Sequence, residues 1–335
     1  MASGHSFEPA SGSLLRRPIV RAGFSLLLVF VVGLVFNADG AFLKWETHRD
    51  MLRQISVYGI LACGMTIVVI SGGIDLSVGS TMALSAVLFS LFSIRQGWPG
   101  VVAAIAALLA GLVCGATSGG IIARLKIQPF IATLAMMVFG RGVAKLISGG
   151  QKISTAIQRP DGTYQYVDVP SSFDILNARI LGDNIATVTL ILGACVVFCW
   201  VLLSRTVWGR RLYAIGGNEE AAWYSGIPLN TSKIVAYGLS GIFCAVAGIC
   251  QAAQELQGDP EAGVAYELSA IAMVVIGGTS LRGGNGTIGL TVFGILIIGY
   301  LEKILSINAV GEEIRLMLTG LIIVLAVVLQ SKKNH

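Results

Sequence analysis

The chain has 335 residues, 55% of them hydrophobic and 12% charged, with a formal net charge of +5. Soluble domains carry about 25% charged residues, so this composition excludes a water-soluble enzyme and places the chain in lipid. The basic residues cluster at the edges of apolar runs, which marks membrane boundaries rather than a surface for nucleic acid.

A crossing helix needs about 20 mostly apolar residues. Runs of that kind fall at about 20–36, 53–71, 75–94, 100–123, 128–148, 183–204, 231–253, 267–281, 286–302 and 314–330. The expected fold is all-α: a polytopic bundle of about ten transmembrane helices, forming one membrane domain over 19–331. Residues 1–18 read as a disordered cytoplasmic segment and 332–335 as a cytoplasmic tail. Arg16, Arg17 and Arg21 before the first run could open a signal peptide, but no small-residue cleavage site follows. The first helix is therefore expected to be retained.

Between the second and third runs lies SGGIDLSVGS, Ser71 to Ser80. Its glycines permit a backbone break that Asp75 and Ser77 can stitch with side-chain hydrogen bonds. The motif reads either as a short cytoplasmic turn in which Asp75 caps the next helix, or as part of a substrate path. The fourth run carries Gly111, Gly115 and Gly119 at fourfold spacing, a bare face that lets another helix come close. The fifth opens on Gln128-Pro129 and holds Arg141 and Lys145 one turn apart. At membrane depth such groups need polar partners or must snorkel outward.

Residues 150–182 form a long loop expected in the periplasm, and 205–230 a loop expected in the cytoplasm. This orientation follows the basic pairs Arg124/Lys126, Arg210/Arg211 and Lys332/Lys333. In the cytoplasmic loop Asn218 is an N-cap residue before Ala221, Ala222, Trp223 and Tyr224. A short helix there would either dock a partner or lie on lipid headgroups. The glycines around Arg282 and Asn285 lack the lysine of a phosphate-binding P-loop. The six cysteines sit in apolar runs as small packing residues. His48 falls in a short loop, and His5 and His335 lie at the termini, so no metal cluster or catalytic constellation is expected.

Four ordered blocks resemble the permease subunits of ribose/xylose/galactose-type ABC importers. They are SGGIDLSVGS at 71–80, IQPFIATLAMM at 127–137 continuing to GRG at 140–142, GRRLYAIGGNEEAAWYSGI at 209–227, and YELSAIAMVVIGGTSLRGGNGTIG at 266–289. The resemblance implies an inner-membrane subunit that pairs with a second permease, as a homodimer or heterodimer. It also implies a periplasmic binding protein that delivers a pentose or hexose. ATP and Mg would be bound by a separate ABC ATPase, and this chain would hold no cofactor. By the same resemblance Gly216, Asn218, Glu219, Glu220, Ala221, Ala222 and Gly226 belong to the helix that couples to the ATPase. Asp75, Ser77, Gln128, Arg141 and Glu267 are the structural or path candidates. Sugar is expected to be held only weakly, without a deep carboxylate-lined site. Glu302-Lys303 departs from the Asn-Gly common near the end of the ninth span. The alternatives are a branched-chain amino acid permease of the same importer type, and a secondary transporter or channel. The latter commonly needs several mid-membrane ionisable groups, and few are present.

Overall fold

The computed structural model describes residues 18–158, 161–311, 313–318, 320, 321 and 324. In chain order the helices are α1 (Pro18–Val35), α2 (Trp45–Ile70), α3 (Val78–Ser90, extended by a π turn over Leu91–Arg95), α4 (Gly100–Arg124) and α5 (Pro129–Ser148). Then come α6 (Ser171–Asn177), α7 (Thr187–Arg205), α8 (Val207–Gly217), α9 (Glu219–Tyr224), α10 (Leu229–Glu255), α11 (Tyr266–Gly277) and α12 (Ile288–Ile307). Eight of these, α1 to α5, α7, α10 and α12, are long and apolar enough to cross a membrane. The fold is an all-α polytopic bundle, as the composition dictates; among the described residues the strands form three short two-stranded pairs.

Two expected elements differ in detail, and a third is only partly described. The run at 267–281 gives α11, whose 12 residues reach only about 18 Å of the roughly 30 Å hydrocarbon core. The run at 314–330 lies largely outside the described residues, as do the proposed N-terminal segment and tail. Helix α2 begins at Trp45 rather than near 53, so His48 is helical and not in a loop. Its first two turns are polar because ion pairs fasten them to the segment before α7, Arg49 to Asp183 at 3.3 Å and Asp50 to Arg179 at 2.6 Å. His48 itself packs among the rings of Phe30, Phe42 and Tyr300.

Helices α2 and α10 form the centre: 83% of the most apolar window of α2 is buried, against 17% for α1. Lipid supplies no hydrophobic drive between helices, so close backbone packing has to do that work. The glycine face of α4 lies on α10. A Cβ at Gly111 would strike the Gly241 carbonyl, and one at Gly115 the Tyr237 carbonyl. The stripe is a helix contact, as its spacing suggests.

Two irregular segments run into the bundle from opposite ends. Residues 71–77 do not form a surface turn. Asp75 accepts from Ser240 Oγ at 2.8 Å, and Ser240 is the twelfth residue of α10, about 17 Å along it. From the other end, the segment between α10 and α11 descends along α3. Gly258 packs on Ala86 and Ser90, and Gly263 on Gly79 and Met82. Helix α11 is short because this segment takes up the rest of the depth.

Non-helical backbone at membrane depth must be satisfied inside the protein. Arg141 does this. Its Nη1 donates to the carbonyls of Pro260 at 2.5 Å and Ala262 at 2.7 Å. The guanidinium therefore turns inward and does not snorkel. Lys145 pairs with Glu261 at 2.5 Å and Lys152 with Asp259 at 3.0 Å, continuing the clamp outward. The hydrogen bond and charge of Asp259 hold the Lys152 ammonium above its ordinary range. Replacing Arg141 by alanine should destabilise the purified protein by about 3–6 kcal/mol, since its two hydrogen bonds come from a charged group and are worth about 1.5–3 each. Thermal unfolding in detergent measures it, and lysine should recover only part of the loss because it lacks the planar fork.

Candidate functional site

The end of the bundle that carries α8 and α9 gathers most of the predicted residues. Thr206 caps α8, its hydroxyl accepting from the Gly209 amide at 3.1 Å. One residue, Asn218, separates α8 from α9. Its side-chain oxygen accepts from the Ala221 amide at 2.9 Å, so it caps α9 as its residue type predicts. The loop at 205–230 thus holds two helices where the sequence suggests one.

Helix α9 ends on Gly226, whose φ of +76° is the left-handed conformation that glycine adopts without strain. The Gly226 amide bonds Trp223 O at 2.9 Å and the Ile227 amide bonds Ala222 O at 3.1 Å. This is a Schellman stop. Ala222 faces inward and is buried, while Glu220, Ala221, Trp223 and Tyr224 are exposed. The Trp223 and Tyr224 rings meet edge-on at 5.0 Å and stand 60% and 73% exposed.

Glu219 is exposed as well, and it also holds the helix in place. Lys233 Nζ donates to both of its oxygens at 2.7 Å, which ties α9 to the start of α10. Gly216 makes the second attachment. A Cβ there would overlap the Ile70 carbonyl oxygen at the end of α2 and the Gly284 amide. That amide donates to Ile70 O at 2.9 Å. A Cβ on Gly283 would lie 2.8 Å from Gly72 Cα, and one on Gly284 2.6 Å from Gly217 Cα. Tyr213 adds a third link, donating to Gly286 O at 2.8 Å. The end of α2, the α8–α9 step and the α11–α12 turn therefore touch backbone to backbone.

Asp75 and Ser77 sit behind this junction. Asp75 Oδ1 accepts from the Ser77 amide at 3.0 Å and the Ser77 hydroxyl at 2.6 Å. Tyr237 and Thr133 both donate to the neighbouring Ile74 carbonyl at 3.3 Å. Ser77, not Asp75, occupies the N-cap position of α3, and it makes no side-chain cap bond. Asp75 therefore stitches the broken segment instead of capping the helix. Gln128 is exposed at the start of α5. Glu267 lies in the first turn of α11, beside Gly79.

None of these five path candidates lines the cavity of about 310 Å³ that opens between α2, α10 and α12 at the other end. Its walls carry Gln54, Gln251, Gln254, Tyr58, Tyr266, Glu302, Lys303, Ser306 and Arg315. Sequence reasoning singled out only Glu302-Lys303 among them, as a departure from a pattern. The glutamines are scattered over two helices nearly 200 positions apart and show no motif. Among the described residues no group of three metal-ligating side chains comes together.

A polytopic bundle with a clamped, aromatic-tipped helix at one end and a polar cavity at the other has the layout of a transport component. The family described as "Branched-chain amino acid transport system / permease component" matches residues 49–327. The ribose import permease protein of Escherichia coli strain K12 is 39% identical over 310 residues, covering 92% of this chain and 93% of that one. The fructose import permease protein of Rhizobium meliloti is 35% identical, covering 90% and 83%. The xylose transport system permease protein of E. coli K12 is 32% identical, covering 93% and 91%. No solved structure gives a significant match. The chain belongs to this permease family. It is a multi-pass transport subunit of the bacterial inner membrane, and not a catalytic one.

Proposed function

We propose that the chain is the membrane subunit of an ABC importer for a monosaccharide of the pentose or hexose class. Relatives over nearly the full length are named for ribose, fructose and xylose. They favour sugar over the branched-chain amino acids in the family's description. The exposed end of α9 faces the cytoplasm and docks into a separate ATPase, which binds ATP and Mg. The observation that carries this is the contrast within α9: Glu219 and Ala222 fix the helix to the bundle, while Trp223 and Tyr224 are presented outward. Paired aromatics are efficient anchors for a partner's groove. The cavity end faces the periplasm and receives sugar from a binding protein, and a second permease subunit completes the path.

When the ATPase closes, α9 moves with it. The glycine junction carries that movement to α2 and to the α11–α12 turn. The residues expected to couple thus divide the work. Gly216, Asn218, Glu219 and Ala222 position the helix, Gly226 ends it, and Glu220 and Ala221 join Trp223 and Tyr224 on the outward face.

The test is uptake of labelled ribose, xylose and fructose by vesicles holding the whole transporter, with leucine as the control solute. One of the sugars should accumulate with ATP and leucine should not. The double variant Trp223→Ala/Tyr224→Ala should lower uptake about a hundredfold, as loss of two anchors worth about 1.4 kcal/mol each implies. It should reach the membrane in normal amounts. Leucine uptake, or normal sugar uptake by the double variant, would defeat the reading.

A further inference from the structure

The cavity at the periplasmic end is more polar than a small-molecule pocket usually is, and its volume of about 310 Å³ falls at the lower end of the roughly 300–1,000 Å³ typical of such sites. Exposing amides, a carboxylate and two cations inside a membrane bundle is expensive unless they face water or a polar solute. Their arrangement is directional. Tyr58 is the deepest α2 residue on its wall, and Tyr266 opens α11 directly after the segment that descends along α3. The two rings lie 4.2 Å apart and 31° from parallel, packed face against face as one aromatic pair. Above it, Gln54 of α2 and Glu302 of α12 face into the same space, with Arg315 on the rim.

We infer that this cavity is a sugar-selecting station within the permease, in which Glu302 and Gln54 read the hydroxyl pattern of a neutral monosaccharide held beside the Tyr58–Tyr266 pair. The inference rests on the sugar-importing reading above and deepens it. A ring sugar has one apolar C–H face and a rim of hydroxyls. The aromatic pair offers the first an apolar neighbour. A carboxylate accepts two hydrogen bonds, and an amide both donates and accepts, which suits adjacent hydroxyls. The site discriminates through groups that a mismatched hydroxyl leaves unpaired, the kind of contact that gives large selectivity. Two walls of the cavity belong to α2 and to the start of α11. A sugar held there is released when the junction at the other end moves those helices.

The experiment compares the complete transporter with its Glu302→Gln and Tyr58→Leu variants for uptake of the same three sugars, each supplied with saturating binding protein. The readout is the ratio between sugars, which cancels differences in the amount of folded protein. Loss of one charged hydrogen bond should shift the ratio about tenfold in Glu302→Gln. An unchanged ratio in both variants overturns the inference while leaving the importer reading intact. Wild-type protein that carries none of the sugars defeats both. Should the variants fail to fold, Ser306→Cys serves instead. The native cysteines are buried or half-buried, so a small charged thiol reagent should report position 306. Its reaction should slow in the presence of the transported sugar at on the order of 10 mM, as expected for weak binding. A rate indifferent to all three sugars overturns the proposal.

Discussion

Replacing Gly216 by alanine should abolish most sugar uptake, lowering it by at least about tenfold, although it adds a single methyl group. The new Cβ would occupy the space of the Ile70 carbonyl oxygen and the Gly284 amide. Neither neighbour is a flexible side-chain tip that can swing away; both are backbone. Overpacking of this kind costs about 1–3 kcal/mol, and relief requires the α8–α9 step to separate from the α11–α12 turn. That separation breaks the Gly284-to-Ile70 bond of 2.9 Å and removes the contact through which α9 would move α2. The control is adjacent. A Cβ at Gly217 meets nothing within 4 Å, so Gly217→Ala should transport normally. In the assembled transporter, ATP hydrolysis by Gly216→Ala should persist while uptake falls, because the partner's nucleotide site is untouched. Equal uptake by the two alanine variants would show that α9 signals by another route.

The bundle was legible in the sequence because lipid imposes a one-dimensional rule. Apolar runs of a fixed length must be helices, and loop charges orient them. The first break was legible too, since Gly72 and Gly73 mark it, but its depth was not. Whether 71–77 is a surface turn or a segment folded back to the level of Ser240 depends on contacts across three helices. The same limit applies to Arg141. Its cost at depth was evident, yet its partners are two carbonyls about 120 positions away, and carbonyls carry no sequence signature. Asn218 was read correctly because capping is local. Glu219 was expected at the coupling surface and is exposed there, but its added bond to Lys233 spans fourteen positions and could not be read locally. The polar cavity was the least visible feature, being assembled from single residues on separate helices.

Asp75 left two roles open in the sequence, a structural stitch or a part of the sugar's path, and the geometry makes them separable. Its carboxylate is 1% exposed and accepts from the Ser77 amide, the Ser77 hydroxyl and the Ser240 hydroxyl. Asp75→Ala would orphan three buried donors, each costing about 1–3 kcal/mol, in a region where water cannot replace the acceptor. The expected result is a protein that accumulates poorly and unfolds at markedly lower temperature in detergent. Asp75→Asn keeps one acceptor oxygen and can donate to the Ser240 hydroxyl, so it should lose about 1–2 kcal/mol. Ser240→Ala removes only one neutral donor and should cost least. A double-mutant cycle between Asp75→Ala and Ser240→Ala should show coupling, because the two changes break the same bond. The path role predicts the reverse pattern: stability near that of the wild type, with sugar uptake lost. With Asp75 sealed behind Ile74, Ser77 and Ser240, and absent from the walls of the cavity, the stability ordering is the outcome the packing requires.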